Sequence, residues 1–184
     1  MPEQPILETE RLILRPYVPG DAPDVQHLAG AWEVASTMLN MPHPYEDGMA
    51  EAWIASQREH FASGRQANWA VTLRAGGALA GGIGLRIEPE HERAELGYWI
   101  GVPYWGQGLC TEAARAVLRY GFVERDLHRI GATHWVRNPA SGRVMQKIGM
   151  TREGTLRDFD KRWGRFEDLV WYGLLREEWE ARNA

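Results

Sequence analysis

The chain holds a single cysteine, Cys110, so an internal disulfide is impossible. No apolar run approaches the roughly 20 residues that a membrane helix needs. The opening Met1-Pro2-Glu3-Gln4-Pro5 is polar and acidic, and no signal-peptide core follows it. An excess of positive charge is also missing. The 25 acidic side chains outnumber the 21 basic ones, leaving a formal charge of -4. Net charge therefore offers nothing to nucleic acid. Metal-ligand spacing is absent among His43, His60, His91, His128 and His134, and one cysteine is too few for a cysteine-rich zinc site. Internal repeats, low-complexity tracts and linkers are absent as well. The expectation is one domain over residues 1–184, cytoplasmic, with no metal, no membrane and no nucleic-acid partner.

What is present is 44% apolar residues and nine tryptophans, enough for a full core. Leu12-Ile13-Leu14-Arg15-Pro16 reads as a first strand, and Asp21 as the N-cap of a helix through Leu28. Asn40-Met41-Pro42-His43-Pro44 is irregular because of its prolines. Tyr45 to Phe61 has helical character. Trp69–Leu73, Leu79–Ile87 and Glu92–Ile100 form an antiparallel meander turned at Gly76-Gly77. Leu109 to Val123 carries Ala113, Ala114, Val117, Leu118 and Gly121 at helical spacing. A strand at Ile130–Val136, a helix at Ser141–Ile148 closed by Gly149, and strands at Thr155–Phe159 and Glu167–Leu175 complete the chain. The order predicts an α/β or α+β sheet with helices packed on it.

The informative segment runs from Gly97 to Ala113, where a strand ends, a turn follows and a helix starts. Gly106 and Gly108 permit positive φ and close backbone approach. The first N–H groups of the helix lack partners within it, and the helix dipole adds partial positive charge, so the turn suits a phosphate or diphosphate. Gln107 and Gly108 replace the Lys and hydroxyl of a Walker loop, and Thr111 replaces the third glycine of a dinucleotide fingerprint. Taken alone, the turn is equally compatible with a plain strand-to-helix connection.

Its surroundings narrow the choice. Trp105-Gly106-Gln107-Gly108-Leu109-Cys110-Thr111-Glu112-Ala113 resembles the acetyl-coenzyme A loop of the GNAT superfamily of N-acetyltransferases. Asn138-Pro139-Ala140-Ser141 and Lys147-Ile148-Gly149-Met150 are similar to motifs of its ribosomal-protein N-terminal acetyltransferase branch. So are the opening Glu8–Pro16 and the ending Leu174–Trp179. The resemblance implies a twisted, mixed, mostly antiparallel sheet of about seven strands with helices on both faces. Its fourth strand (Glu92–Ile100) and fifth strand (Arg129–Val136) are implied to splay apart around the thioester arm of acetyl-CoA. The backbone around Trp99, Ile100 and Gly101 would pair with that arm. The amides of Gly106, Gln107, Gly108, Leu109, Cys110 and Thr111 would take the diphosphate, Asn138 would bond the arm, and Lys147 a phosphate.

Acetyl transfer to an amine needs a proton acceptor, an oxyanion donor and a donor for the leaving thiolate. Asp160 stands where the branch places a proposed catalytic carboxylate; its plainer reading is a solvated turn acid beside Lys161 and Arg162. Glu95, on the fourth strand, is the second candidate, or else an exposed residue paired with a neighbouring cation. Met145 occupies the position of the superfamily's usual tyrosine and cannot donate; the branch resemblance implies Ser141 as the donor, and Ser141 also reads as a helix N-cap, so both can hold. The amides of Ile100 or Gly101 are the oxyanion candidates. Cys110 is read as a small loop residue rather than a nucleophile, His134 as packing, and Lys147 alternatively as a solvated helix face. The acceptor is expected between Trp32–Tyr45, the Asp158–Gly164 hairpin and the fourth strand. A protein N-terminal amine leads, with a small-molecule amine close behind. A non-catalytic acyl-CoA-binding module remains the alternative, and a homodimer is left open.

Overall fold

The computed structural model describes residues 3–183. Its strands are β1 (Leu7–Glu8), β2 (Leu12–Arg15), β3 (Gln66–Leu73), β4 (Leu79–Glu88), β5 (Arg93–Ile100), β6 (Arg129–Trp135), β7 (Thr151–Arg162) and β8 (Arg165–Leu175). They form one eight-stranded sheet in the order β1-β2-β3-β4-β5-β6-β8-β7. Only the β5–β6 pair is parallel among these pairings; the others are antiparallel. The helices are α1 (Ala22–Ala29), α2 (Trp32–Ala35), α3 (Met49–Ala62), α4 (Leu109–Arg119), α5 (Pro139–Lys147) and α6 (Arg176–Asn183).

Helices cover both faces because the strands bury both. The main core sets Leu12, Leu14, Leu85, Leu96 and Ile130 of the sheet against Ala113, Ala114, Val117 and Leu118 of α4. Those α4 positions recur with helical period, so one stripe faces the sheet. A second core on the opposite face joins Val25 and Leu28 of α1, Ile54 of α3, and Ala70 and Trp99 of the sheet. β4 tolerates close crossing there through Gly82, where a Cβ would strike the Tyr17 hydroxyl and the Trp99 ring.

Several boundaries differ from the sequence expectation. The sheet has eight strands rather than about seven, since β1 adds a two-residue edge. β5 starts at Arg93 because Glu92 turns left-handed, with φ of 49°. β6 ends at Trp135; Val136 lies beyond it, its N–H on Asp168 O at 3.0 Å. α3 begins at Met49 rather than Tyr45 because Gly48 enters it at φ 85°. α4 stops at Arg119, and a wider helical turn over Tyr120–Glu124 carries Tyr120 and Phe122 into the core. β7 is much longer than expected, β8 starts at Arg165 rather than Glu167, and the two meet in a turn at Trp163 and Gly164. α6 was not anticipated as an element.

Asp21 precedes α1 but does not cap it with its side chain. Its carboxylate instead takes both Arg15 nitrogens, at 2.7 and 2.8 Å, and the Val18 N–H at 2.9 Å. The forked pair ties β2 to the start of α1. Burial works to raise the Asp21 pKa, but the Arg15 and Val18 bonds prevail and hold it below the usual carboxylate range. A depressed folded pKa gives stability that is present above the unfolded pKa and lost as pH falls through the folded one. Asp21→Asn should therefore cost about 3 kcal/mol in urea unfolding at pH 7, by leaving Arg15 without its buried partner. The difference from wild type should shrink in strongly acidic buffer. Equal midpoints at pH 7 would refute this assignment.

Candidate active site

Between β5 and the first turn of α4, the chain folds into a short turn at Val102–Tyr104 and then a glycine loop. Gly106 and Gly108 both sit left-handed, at φ 75° and 78°. The loop is braced by its own side chains. Trp105 Nε1 donates to Ile100 O at 2.6 Å, and Gln107 Nε2 to Pro103 O at 3.1 Å. Arg11 Nη1 donates to Gln107 O at 2.9 Å from the neighbouring strand end. No side chain caps α4, and the first return bond runs from Glu112 N–H to Gly108 O at 3.1 Å. The amides of Leu109, Cys110 and Thr111 therefore have no partner in the helix.

Glu112 would oppose an anion at this helix start, were it unpaired. Burial pushes its pKa up, but bonds from Thr9 Oγ1, Arg11 N–H and the Arg11 guanidinium bring it below the usual range. A groove of about 620 Å³ lies here, lined by Arg11, Gly108, Thr111, Arg115 and Lys147 among others. Arg115 donates to the Lys147 carbonyl at 3.1 Å, which ties α4 to the end of α5. Lys147 is exposed, and the groove at the unpaired helix start carries three cations and two acids, Glu10 and the Arg11-paired Glu112.

The sheet opens beside this groove. β5 and β6 pair only at Arg93↔Arg129, Ala94↔Ile130 and Glu95↔Gly131. β4 still follows β5 as far as Ile100, and β8 follows β6 as far as Trp135. The two lips are thus held from outside while nothing in the sheet joins them. Antiparallel strands present alternate residues to each neighbour. The Gly101 N–H goes to Ala80 O at 2.9 Å, so β4 claims the backbone of Trp99 and Gly101. The backbone groups of Tyr98 and Ile100 face the gap. This corrects the expectation for Trp99 and Gly101: both were read as facing the thioester arm, yet the ladder uses their amides. Ile100 alone of the three keeps its N–H toward the opening. The Trp99 ring packs in the second core instead.

The lips separate two chemical faces. On the α4–α5 face, Asn138 caps α5 by accepting from Ser141 N–H at 3.4 Å. Ser141 is therefore not the N-cap; it sits one turn inside. Its Oγ lies 2.9 Å from the Tyr98 hydroxyl, which also donates to Ser141 O at 3.0 Å. Tyr98 lies within the glycine segment, and no spacing rule marks it. Met145 is buried in the main core and offers no donor. His134 lies against Gly142 on this face, with Nδ1 on Trp135 O at 2.8 Å. Burial pushes the Cys110 thiol up to about 12, so it is no thiolate at neutral pH.

The opposite face carries the acids. Thr133 and Trp135 alternate along β6 and share one face. Thr133 Oγ1 donates to Glu95 Oε1 at 3.3 Å, and Trp135 Nε1 to Asp160 Oδ2 at 2.7 Å. The other Glu95 oxygen holds Arg86. Glu95 thus takes the cation-paired role, at the last residue before the strands part. Asp160 has no further donor among the described residues and is not the free turn acid of the plainer reading. It stands directly across from Glu167, an acid the sequence reading assigned no role. Glu167 is buried and accepts from Arg137 Nε at 2.8 Å; Arg137 also lies over the Trp135 ring. Beyond them Trp32 packs on Trp163, with ring centroids 5.0 Å apart, and Arg162 bonds Met41 O. The Trp32–Tyr45 segment and the hairpin tip therefore do meet.

A mixed sheet parted at its one parallel pair, with a glycine turn and open helix start at its mouth, defines a class of acyl-transferring enzymes. The family model described as an acetyltransferase (GNAT) domain matches residues 11–151. The chain belongs to the GNAT acetyltransferase family and carries the family's enzymatic class. It is 32% identical over 173 residues to the uncharacterized N-acetyltransferase YoaA of Bacillus subtilis strain 168, covering 94% of this chain and 97% of that one. The ribosomal protein uS5-alanine N-acetyltransferase of Escherichia coli strain K12 is 34% identical over 84 residues, 46% of this chain and 43% of that one. Among solved structures, a GNAT acetyltransferase from Bacillus anthracis superposes with a TM-score of 0.83 at 29% identity, covering 94% of this chain and 99% of that one. Among the described residues, no helix is long and apolar enough to cross a membrane, and no group of His, Cys, Asp or Glu is placed to hold a metal ion.

The state of Cys110 is directly measurable. In the folded protein it should react with a disulfide-exchange reagent at pH 8 at least about 100-fold slower than after unfolding in guanidinium, because the thiolate is suppressed. Comparable rates in the two states would show that the Cys110 thiolate is not suppressed by the fold.

Proposed function

We propose that this chain transfers the acetyl group of acetyl-CoA to an α-amine at the N-terminus of a protein, by direct attack in the gap between β5 and β6. GNAT acetyltransferases use acetyl-CoA and act on amines, so the finer reading concerns residues and acceptor. The observation that carries it is the end of β5–β6 pairing at Glu95↔Gly131, directly beside the open helix start.

The donor set fits the cofactor. The amides from Gly106 to Thr111, with Arg11, Arg115 and Lys147 around the groove, suit a diphosphate and a further phosphate. The gap-facing backbone of Tyr98 suits an amide-bearing arm, as does the Asn138 side-chain amide just beyond the end of β6. When bound, acetyl-CoA supplies the activated acetyl thioester. The Ile100 N–H is the donor for the carbonyl oxygen as it gains charge. Asp160, held by Trp135, takes the ammonium proton directly or through water. The Ser141 hydroxyl donates to the departing sulfur. Asp160, held by the neutral Trp135 indole while Glu95 and Glu167 are paired with Arg86 and Arg137, gives the acceptor face the negative charge that a cationic substrate seeks.

An α-amine, with an ordinary pKa of about 8, is far easier to deprotonate near neutral pH than a lysine at about 10.4. The relative named for ribosomal protein uS5 alanine supports the same acceptor class. The aromatic rim at Trp32 and Trp163, both exposed, offers apolar surface to an acceptor chain.

Coenzyme A release should be measured with peptides beginning in Ala or Ser, with polyamines and with free amino acids. The peptides should give the highest kcat/KM; preference for a polyamine would overturn the acceptor assignment. Asp160→Asn should lower kcat by about 10² to 10⁴-fold with acetyl-CoA binding retained. Gly108→Val forces a β-branched residue to φ 78° and should weaken acetyl-CoA binding by calorimetry at least about 10-fold. Unchanged binding would remove the helix start from the cofactor site.

A further inference from the structure

Tyr98 lies three positions past Glu95, the last β5 residue that pairs with β6. Its side chain shares a face with Ala94 and Leu96 and borders the main core. Ser141 belongs to α5, which follows β6. The Tyr98–Ser141 contact therefore runs from one lip of the gap to the helix carried by the other. It is a polar strap over the parted strands, made where the sheet ladder has stopped.

Counting protons shows what the strap does. The phenol has one proton and the serine hydroxyl has one; the Ser141 carbonyl only accepts. In the first arrangement the phenol donates to the carbonyl at 3.0 Å, and the serine gives its proton back to the phenol oxygen at 2.9 Å. The serine proton is then spent. In the second, the phenol donates to Ser141 Oγ, and the serine proton is free to point into the gap. Exchange between the two needs only rotation of two hydroxyls. Negative charge on an atom in the gap selects the second. Burial drives the Tyr98 phenol far above its ordinary pKa, so it stays a donor at any working pH. Without the phenol, a serine inside a helix turns its proton to a carbonyl of the preceding turn.

We propose that Tyr98 is a positioning residue that aims the Ser141 hydroxyl at the leaving sulfur, using its phenol to hold Ser141 Oγ from across the gap. This rests on the role of Ser141 given above. No proton leaves Tyr98; it is a fixed donor, and the sulfur receives the serine hydrogen bond.

The test uses the full chain carrying Tyr98→Phe, Ser141→Ala and both together. Phenylalanine keeps the ring and its packing. Tyr98→Phe should lower kcat about 10-fold with the KM for acetyl-CoA within about twofold. The double variant should be no slower than Ser141→Ala alone, because the phenol acts through the serine. A second readout needs no turnover. The thiol of bound coenzyme A, followed by its ultraviolet thiolate absorbance, should titrate about 0.5 to 1 pH unit higher in Tyr98→Phe than in wild type. Adding Tyr98→Phe to Ser141→Ala should shift it no further. If Ser141→Ala is impaired while Tyr98→Phe matches wild type, or the two costs simply add, the aiming role falls and the Ser141 role stands. If Ser141→Ala matches wild type in both kcat and thiol titration, both fall together.

Discussion

The molecule is organised around a point where hydrogen bonding stops. β5 and β6 pair through Glu95 and Gly131 and then separate, although each remains laddered to its outer neighbour. Backbone amides left unpaired inside a fold are costly unless water or a ligand satisfies them. Holding both lips from outside keeps those amides aligned rather than collapsed. Glu95 pins the fork, binding Arg86 of β4 with one oxygen and Thr133 of β6 with the other. A carboxylate so engaged serves the geometry of the opening more than its chemistry.

Strand alternation then distributes the groups. Because successive side chains point to opposite faces, one side of the lips receives Tyr98 and, through α5, Ser141. The other receives Glu95, Thr133, Trp135 and Asp160. The leaving-group donor and the ammonium-proton acceptor that we propose are thereby kept on opposite sides of one slot. Neither can neutralise the other. The same logic governs the helix start above the slot. Glu112 would repel a diphosphate, but Thr9 and Arg11 occupy its oxygens, and Arg11 also reaches the Gln107 carbonyl. One arginine from the N-terminal segment therefore both screens an acid and stiffens the loop.

Membership of the GNAT family accounts for the fold and for the class of reaction. It leaves the acceptor to local chemistry. In the proposed reaction that chemistry lies in the long β7–β8 hairpin, whose Asp160 faces Glu167 and whose tip rests on the segment containing Trp32 and Met41. The hairpin is tied to the end of β6 through the Trp135 indole and the Arg137 guanidinium.

Much of this was legible in the amino-acid order. Gly106 and Gly108 announce a turn because positive φ is available cheaply only to glycine, and both adopt it. The spacing of Ala113, Ala114, Val117 and Leu118 gives the buried stripe of α4, since a helix repeats every 3.6 residues. These are local properties, written within one turn or one strand. What the chain order left open were relations across long separations. Asp160 and Ser141 were visible as polar residues, but the Trp135 indole and the Tyr98 phenol that hold them were not. Glu167 read only as a strand end. Trp99 and Gly101 were placed at the gap because a one-dimensional motif cannot tell which neighbour a strand residue faces; the register against Gly82 and Ala80 decides that. The sequence by itself thus determined where the glycine turn, the apolar stripes and the chemically able side chains lie. Only the tertiary structure decided which amides stay free and which hydroxyls and carboxylates are held, because pairing register and cross-strand contact arise when distant segments are brought together.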